Sequence, residues 1–280
     1  MKFFRSILCG AGFLIFLFAS LTASAQKLFD SWVSYGIDKQ PRAIQSADMD
    51  ADGDLDLIIG HSQGRAGRAT VIMLENDGVG NFSLRYTLYP GPLSGPVVSV
   101  NVFDLDLDGD LDILTTHPLT HKADLFRNRG PGLGFELPIE CRTGRQPLSV
   151  TAGRLDNDIF PEVVTANFSS GTLSIYKNRG AALFPAESTK VVSFGPRSVV
   201  LLDYDNDGDN DIAVSVTVIR QQTGPPDGFN GFVLFENQGN GAFDDSARVF
   251  YKIANPSGSN PLLFDDLNPH QLIAADFDNM

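Results

Sequence analysis

Three nine-residue stretches hold most of the chemistry this sequence could perform. Asp48, Asp50, Asp52, Asp54 and Asp56 alternate with other residues around Gly53. Asp104, Asp106, Asp108, Asp110 and Asp112 repeat the pattern around Gly109, and Asp203, Asp205, Asp207, Asp209 and Asp211 repeat it around Gly208. Carboxylates at loop positions 1, 3, 5 and 9 make a cage of hard oxygen donors, and glycine at position 6 permits the sharp turn that gathers them. Such a cage suits Ca2+, and without a cation so acidic a loop repels itself. A solvated acidic turn would explain one copy; three near-identical copies at regular spacing favour the cage.

The loops need elements to hold them, and the flanking residues repeat as well. A Pro-led apolar stretch precedes each one: Pro41 to Ile44, Pro96 to Val100 and Pro196 to Val200. A second apolar run follows at Leu55 to Gly60, Leu111 to Thr116 and Ile212 to Val216. A third ends in Asn-x-Gly at Asn76, Asn128 and Asn237, a tight-turn signal, and an aromatic (Phe82, Phe135, Phe243) then opens a predicted fourth strand. Four short strands per roughly 50 residues is a propeller-blade pattern, and no helical periodicity competes after residue 26.

Two further copies depart from the pattern. In Pro147 to Phe184 the loop reads Arg154, Asp156, Asp158, Ile159 and Glu162 at positions 1, 3, 5, 6 and 9. A cation stands where a ligand belongs and the glycine is lost, so weak or no Ca2+ binding is expected there. A fifth copy opens at Pro269 and supplies Asp276 and Asp278 before Met280. Its interruption inside the loop predicts a fragment or a prematurely ended chain.

The chain has 280 residues, 42% hydrophobic, with a net charge of −13. That balance argues against nucleic acid as partner. Residues 1–25 read as a signal peptide: Lys2 and Arg5, an apolar run from Ile7 to Leu21, then Ala23-Ser24-Ala25 as a cleavage site. The rival reading is an uncleaved anchor, against which the run is short. The protein is then secreted, periplasmic or at the cell surface, meeting a membrane only transiently through the signal peptide. Removal of the signal leaves Cys141 as the one cysteine, which reads as a small core residue, so no internal disulfide can form.

Taken together, Pro-led strand, DxDxDGDxD loop, two strands and Asn-x-Gly resemble the FG-GAP repeat in its VCBS form, which is similar to the blades of the integrin alpha-chain N-terminal β-propeller. The resemblance covers about residues 41–280. It implies an all-β fold, a β-propeller of four-stranded blades at about 41–95, 96–146, 147–195 and 196–268 with a partial blade at 269–280. Residues 26–40 would be an outer closing strand. It also implies Ca2+ in the hairpin between the first two strands, bound by side chains at positions 1, 3, 5 and 9 and by the carbonyls of Asp54, Asp110 and Asp209.

In such a blade the acidic loops load one face. The other face receives Arg42, His61, Arg65, Arg68, His117, His121, Arg145, Asn167, Arg197 and Arg220. These form a candidate basic rim for an anionic or carbohydrate ligand; ordinary solvated loop residues are the simpler reading. A transition-metal site from His61, His117 and His121 has no matching spacing signature. Two functions compete, with a structural module of a larger surface protein as a third. The first is a non-enzymatic module that binds or adheres to an extracellular protein or carbohydrate. The second is a polysaccharide lyase or dehydratase, for which His117, His121 and Arg65 are the only candidate groups. No nucleophile or metalloprotease motif supports the enzyme, so the binding module is preferred. Replacing Asp104 and Asp108 by Ala is expected to weaken thermal stabilisation by Ca2+, and the same change at Asp156 and Asp158 is not. Equal responses in melting experiments would overturn this ranking of the loops.

Overall fold

In the computed structural model the described residues are 34–37, 39–63, 68–91, 94–180, 187–192, 195–217, 231–244 and 249–252. The chain divides into two compact units, Met1–Ile37 and Asp38–Met280. In the first, the described residues 34–37 form no strand. Most of the predicted outer strand, the signal segment, Arg65, Arg220 and the fifth repeat with Asp276 and Asp278 lie outside the described residues.

The second unit contains four four-stranded antiparallel sheets and, among its described residues, no helix. The first holds β1 (Pro41–Ala47), β2 (Asp56–His61), β3 (Thr70–Asn76) and β4 (Phe82–Leu88); the second holds β5 (Ser99–Phe103), β6 (Asp112–His117), β7 (Lys122–Phe126) and β8 (Ile139–Arg142). The third holds β9 (Pro147–Gly153), β10 (Glu162–Asn167), β11 (Thr172–Tyr176) and β12 (Glu187–Val191); the fourth holds β13 (Gly195–Leu202), β14 (Asp211–Thr217), β15 (Gly231–Phe235) and β16 (Val249–Lys252). Within each sheet the spatial order follows the sequence. Of Phe82, Phe135 and Phe243, the described aromatics expected to open a fourth strand, only Phe82 does so. Phe135 and Phe243 instead form isolated bridges with Asn128 and Asn237. In the second sheet Pro138 interrupts the intervening run, and a residue without an N–H cannot carry the ladder onward.

The apolar runs are continuous because the second strands are covered on both sides. β6 and β10 are buried along their whole length. Ile58, Val71 and Met73 of the first sheet pack with Val100, Ile113 and Phe126 of the second. Leu114 and Leu125 pack with Val150 and Val163 of the third, and Val164 and Ile175 pack with Val199, Val214 and Phe235 of the fourth. Each sheet therefore buries one face against the next. The first strands are neighbours too: β1 beside β5, β5 beside β9 and β9 beside β13. Together they line a cavity of about 420 Å³ that receives Arg42, Gln45, Ser99, Ser149 and Arg197.

Consecutive sheets are also stitched by hydrogen bonds. The Asn128 side-chain amide donates to the Met49 carbonyl, Asn178 to Leu105 and Asn237 to Leu155, at 3.3, 2.7 and 2.8 Å. Each acceptor is loop position 2 of the preceding sheet, and its side chain is buried. Loss of such a donor strands a buried carbonyl, which costs roughly 1–3 kcal/mol. Asn128→Ala is expected to lower the unfolding free energy by that amount in denaturant unfolding, and the thermal midpoint with it. An unchanged midpoint would remove the stitch as a stabilising element.

Candidate metal centres

All four acidic loops are hairpins between the first and second strands of their sheets. Gly53, Gly109 and Gly208 take φ of 96°, 95° and 96°, where a side chain is strained. The position 1 carboxylates of Asp48, Asp104 and Asp203 each accept the N–H of that glycine. The position 5 carboxylates of Asp52, Asp108 and Asp207 accept the N–H of position 7. These local bonds wind the loop so that its carboxylates converge. Ligand-capable oxygens lie within 4.8 Å of one another in Asp48, Asp50 and Asp56; in Asp104, Asp106 and Asp108; and in Asp203, Asp205 and Asp211. The third loop also gathers Asp156, Asp158 and Glu162. Neither Asn157 nor Ile159 takes a positive φ there, so its backbone path differs from the others.

Position 7 does something the sequence pattern does not reveal. Oδ2 of Asp54, Asp110 and Asp209 lies 2.4, 2.9 and 3.4 Å from where a Cβ would stand on Gly78, Gly130 and Gly239. The glycine of each Asn-x-Gly turn therefore leaves room for the acidic side chain of its own loop.

Position 9 opens the second strand and is buried in every sheet, as Asp56, Asp112, Glu162 and Asp211. It is a hairpin clamp as much as a ligand. Asp56 accepts the N–H groups of Met49 and Asn76 at 3.0 and 2.9 Å. Asp112 accepts those of Leu105 and Asn128, and Asp211 those of Tyr204 and Asn237. Burial pushes Asp112 up to about 7, with Asp106 and Asp108 adding to the effect. Burial, then neighbouring carboxylates, also raise Asp50, Asp56, Asp108, Asp205, Asp211 and Glu162. Asp156 goes the other way. Burial opposes its ionisation, but the Asp158 N–H and the Lys177 ammonium hold it below the ordinary value.

The donor set fits a hard divalent cation. The buried oxygens Asp50 Oδ1, Asp104 Oδ1 and Asp106 Oδ1 have no hydrogen-bond partner within the protein. Unpartnered buried carboxylate oxygens are costly, and an oxygen-preferring ion would satisfy them.

The candidate rim is not one surface. His61, His117 and Asn167 are buried and end the strands β2, β6 and β10, so they do not face solvent as loop residues would. Pairing continues through them, to Thr70, Lys122 and Thr172, which is why they are inside. Asn167 donates to Ser174 and accepts from Thr165. Arg42 and Arg197 line the cavity between first strands, and Arg197 is fixed by Thr217 and lies over the Phe168 ring. Arg68, His121 and Arg145 are exposed; Arg68 lies over Tyr89, and His121 Nδ1 accepts the Gln146 N–H. Among the described residues no metal-competent group includes a histidine. Sequence reasoning missed Arg127 and Lys177, which reach Asp106 and Asp156 at 2.7 and 3.0 Å. The signal was present: the residue before each Asn-x-Gly reads Glu75, Arg127, Lys177 and Glu236.

Comparison with known proteins agrees with the repeat. Residues 48–115 and 154–214, which include all four loops, match the family model for the FG-GAP-like repeat. No curated protein sequence matches the chain. The solved structure of the V. cholerae biofilm matrix protein Bap1 is similar at a TM-score of 0.45 and 20% identity, over 75% of this chain. This chain spans 28% of Bap1's length.

His117 forms a second buried feature away from the loops. Its Nδ1 donates to the Gly95 carbonyl at 3.0 Å, while Nε2 lies 3.2 Å from Asp124 Oδ2 and 3.0 Å from Thr115 Oγ1. Burial opposes ionisation of Asp124, but His117, the Gly91 N–H and the Ser94 hydroxyl hold its carboxyl below the ordinary value. A folded pKa below the unfolded one stabilises above about pH 4, and that contribution fades as pH falls through the lowered value. Asp124→Asn is therefore expected to flatten the acid limb of melting temperature against pH. A variant that keeps the full acid limb would contradict the assignment.

Proposed function

We propose that this FG-GAP-like repeat protein is a secreted, Ca2+-stapled propeller-type module that binds or adheres to an extracellular protein or carbohydrate and catalyses nothing. The observation that carries the reading is the recurrence of one carboxylate-lined hairpin at the same place in four equivalent sheets, with buried oxygens lacking hydrogen-bond partners in the first three. The adjacency of the first strands and the cavity they enclose support a propeller-like arrangement of the sheets. Lys2, Arg5 and the Ala23-Ser24-Ala25 stretch support export.

Bound Ca2+ supplies positive charge and extra coordination, not reactivity. The chain's own residues do the rest. Position 1 and position 5 carboxylates wind the loop, position 9 ties it to the third strand, and position 2 anchors it in the core. The Arg42 and Arg197 cavity is where an anionic or polar partner would find both charge and hydroxyl donors. Ion binding to the folded state alone adds about 2.7 kcal/mol at a hundredfold excess over Kd. Chelation by EGTA is expected to lower the melting temperature, and Ca2+ to restore it. A melting temperature indifferent to both would sink the staple.

A further inference from the structure

We infer that the four loops are not equivalent cation sites, and that the side chain before each Asn-x-Gly grades them: Lys177 acts as a built-in cation in the third loop, Arg127 partly caps the second, and Glu75 and Glu236 leave the first and fourth open. The inference rests on the Ca2+ reading above and specifies it site by site.

Sheet register puts this side chain beside the cage. The last paired residues before the loop are Leu57 with Leu74, Ile113 with Phe126, Val163 with Tyr176 and Ile212 with Phe235. One step further, position 9 stands opposite Glu75, Arg127, Lys177 and Glu236 in turn. The same geometry therefore delivers opposite charges to otherwise similar loops.

In the third loop Lys177 Nζ is 3.0 Å from Asp156 Oδ2, and the other oxygen of Asp156 accepts the Asp158 N–H. Position 3 is thus fully engaged without an ion. Arg154 at position 1 cannot donate a carboxylate, so the cage is both short of a ligand and supplied with a charge. In the second loop Arg127 binds one oxygen of Asp106 through Nε and Nη2, at 3.0 and 2.7 Å. The Asp106 side chain is only 5% exposed, yet its other oxygen has no partner and lies in the cluster with Asp104 and Asp108. Arg127 therefore competes for Asp106 while leaving donors for a metal. In the first loop Glu75 is occupied by Arg85 instead, and in the fourth Glu236 is held by Gln238. Neither glutamate adds a cation to the cage; Arg85 lines a pocket with Asp50 and Asp52, but its ion pair is with Glu75 rather than with a cage carboxylate. A divalent ion entering a site already holding a fixed positive charge is repelled by it, so affinity falls in the order open, capped, substituted.

Calorimetric titration of the full chain with calcium chloride tests this, paired with thermal melts in EGTA. Arg127→Gln is expected to tighten one class of sites roughly tenfold, one pKd unit, without altering the others, and Arg127→Lys to tighten it less. Lys177→Gln is expected to melt lower than the parent in EGTA and to regain more from Ca2+. Lys177→Arg, which keeps the charge, should match the parent in both readouts, so the charge is tested even if Lys177→Gln folds poorly. Ca2+ binding that ignores both Arg127→Gln and Lys177→Gln overturns the grading alone. No calcium heat in any variant overturns the staple and the grading together.

Discussion

One arrangement underlies the rest of the molecule: a buried position 9 carboxylate, taken from its own second strand, that holds two backbone N–H groups at once. In the first sheet Asp56 ties Met49 of the loop to Asn76 at the end of the third strand. Met49 is then held on its other side, because its carbonyl accepts from Asn128 of the next sheet. The pattern repeats at Leu105, between Asp112 and Asn178, and at Leu155, between Glu162 and Asn237. A buried carboxylate is expensive, and its stability comes from bonding to charged or polar partners. Here those partners are main-chain groups that would themselves be stranded. The clamp and the stitch therefore solve one problem jointly, and they run from sheet to sheet without a break.

This chain of bonds explains why the loops are acidic beyond what a turn needs. Position 9 must be ionised to accept two N–H groups well. Burial raises its pKa, to about 7 at Asp112, and the remaining carboxylates crowding around it add to the effect. A cation relieves that conflict wherever it comes from. Three loops combine a position 9 aspartate with glycine at position 6, and one combines glutamate with Ile159 and Lys177. The longer Glu162 side chain still reaches the Leu155 N–H at 2.9 Å, so the loop half of the clamp survives where the cage has changed, while its other oxygen has no hydrogen-bond partner among the described residues. The structural bond and the metal donors are thus separable in the same nine residues.

Much of this was legible in the sequence, and the limits have physical causes. Strand count, hairpin position and the glycine turns follow from short apolar runs recurring at regular spacing and from residues needing φ > 0, which are local properties. Asn128 was legible only as a turn former, because the partner of its amide is 79 residues away and depends on which sheets are neighbours. His61 and His117 were misplaced for a related reason. A histidine after an apolar run looks like the start of a loop, yet the ladder extends through both residues and the next sheet covers them. Residue type indicates solvent preference on average; pairing register decides it in the individual case.

The same logic separates the two kinds of positive charge in the chain. Arg42 and Arg197 line the cavity between first strands, where Arg197 is fixed by Thr217 and Phe168. Arg127 and Lys177 are on third strands or just past them, and both are neutralised by loop carboxylates. Of these two pairs, the first is not paired with the loop carboxylates. Desolvating a guanidinium is tolerable when its stem packs on an aromatic face and its donors remain partly free, which describes Arg197. The acidic loops take up Arg127 and Lys177 while the first-strand cavity keeps Arg42 and Arg197, and the difference follows from which strand each arginine or lysine occupies.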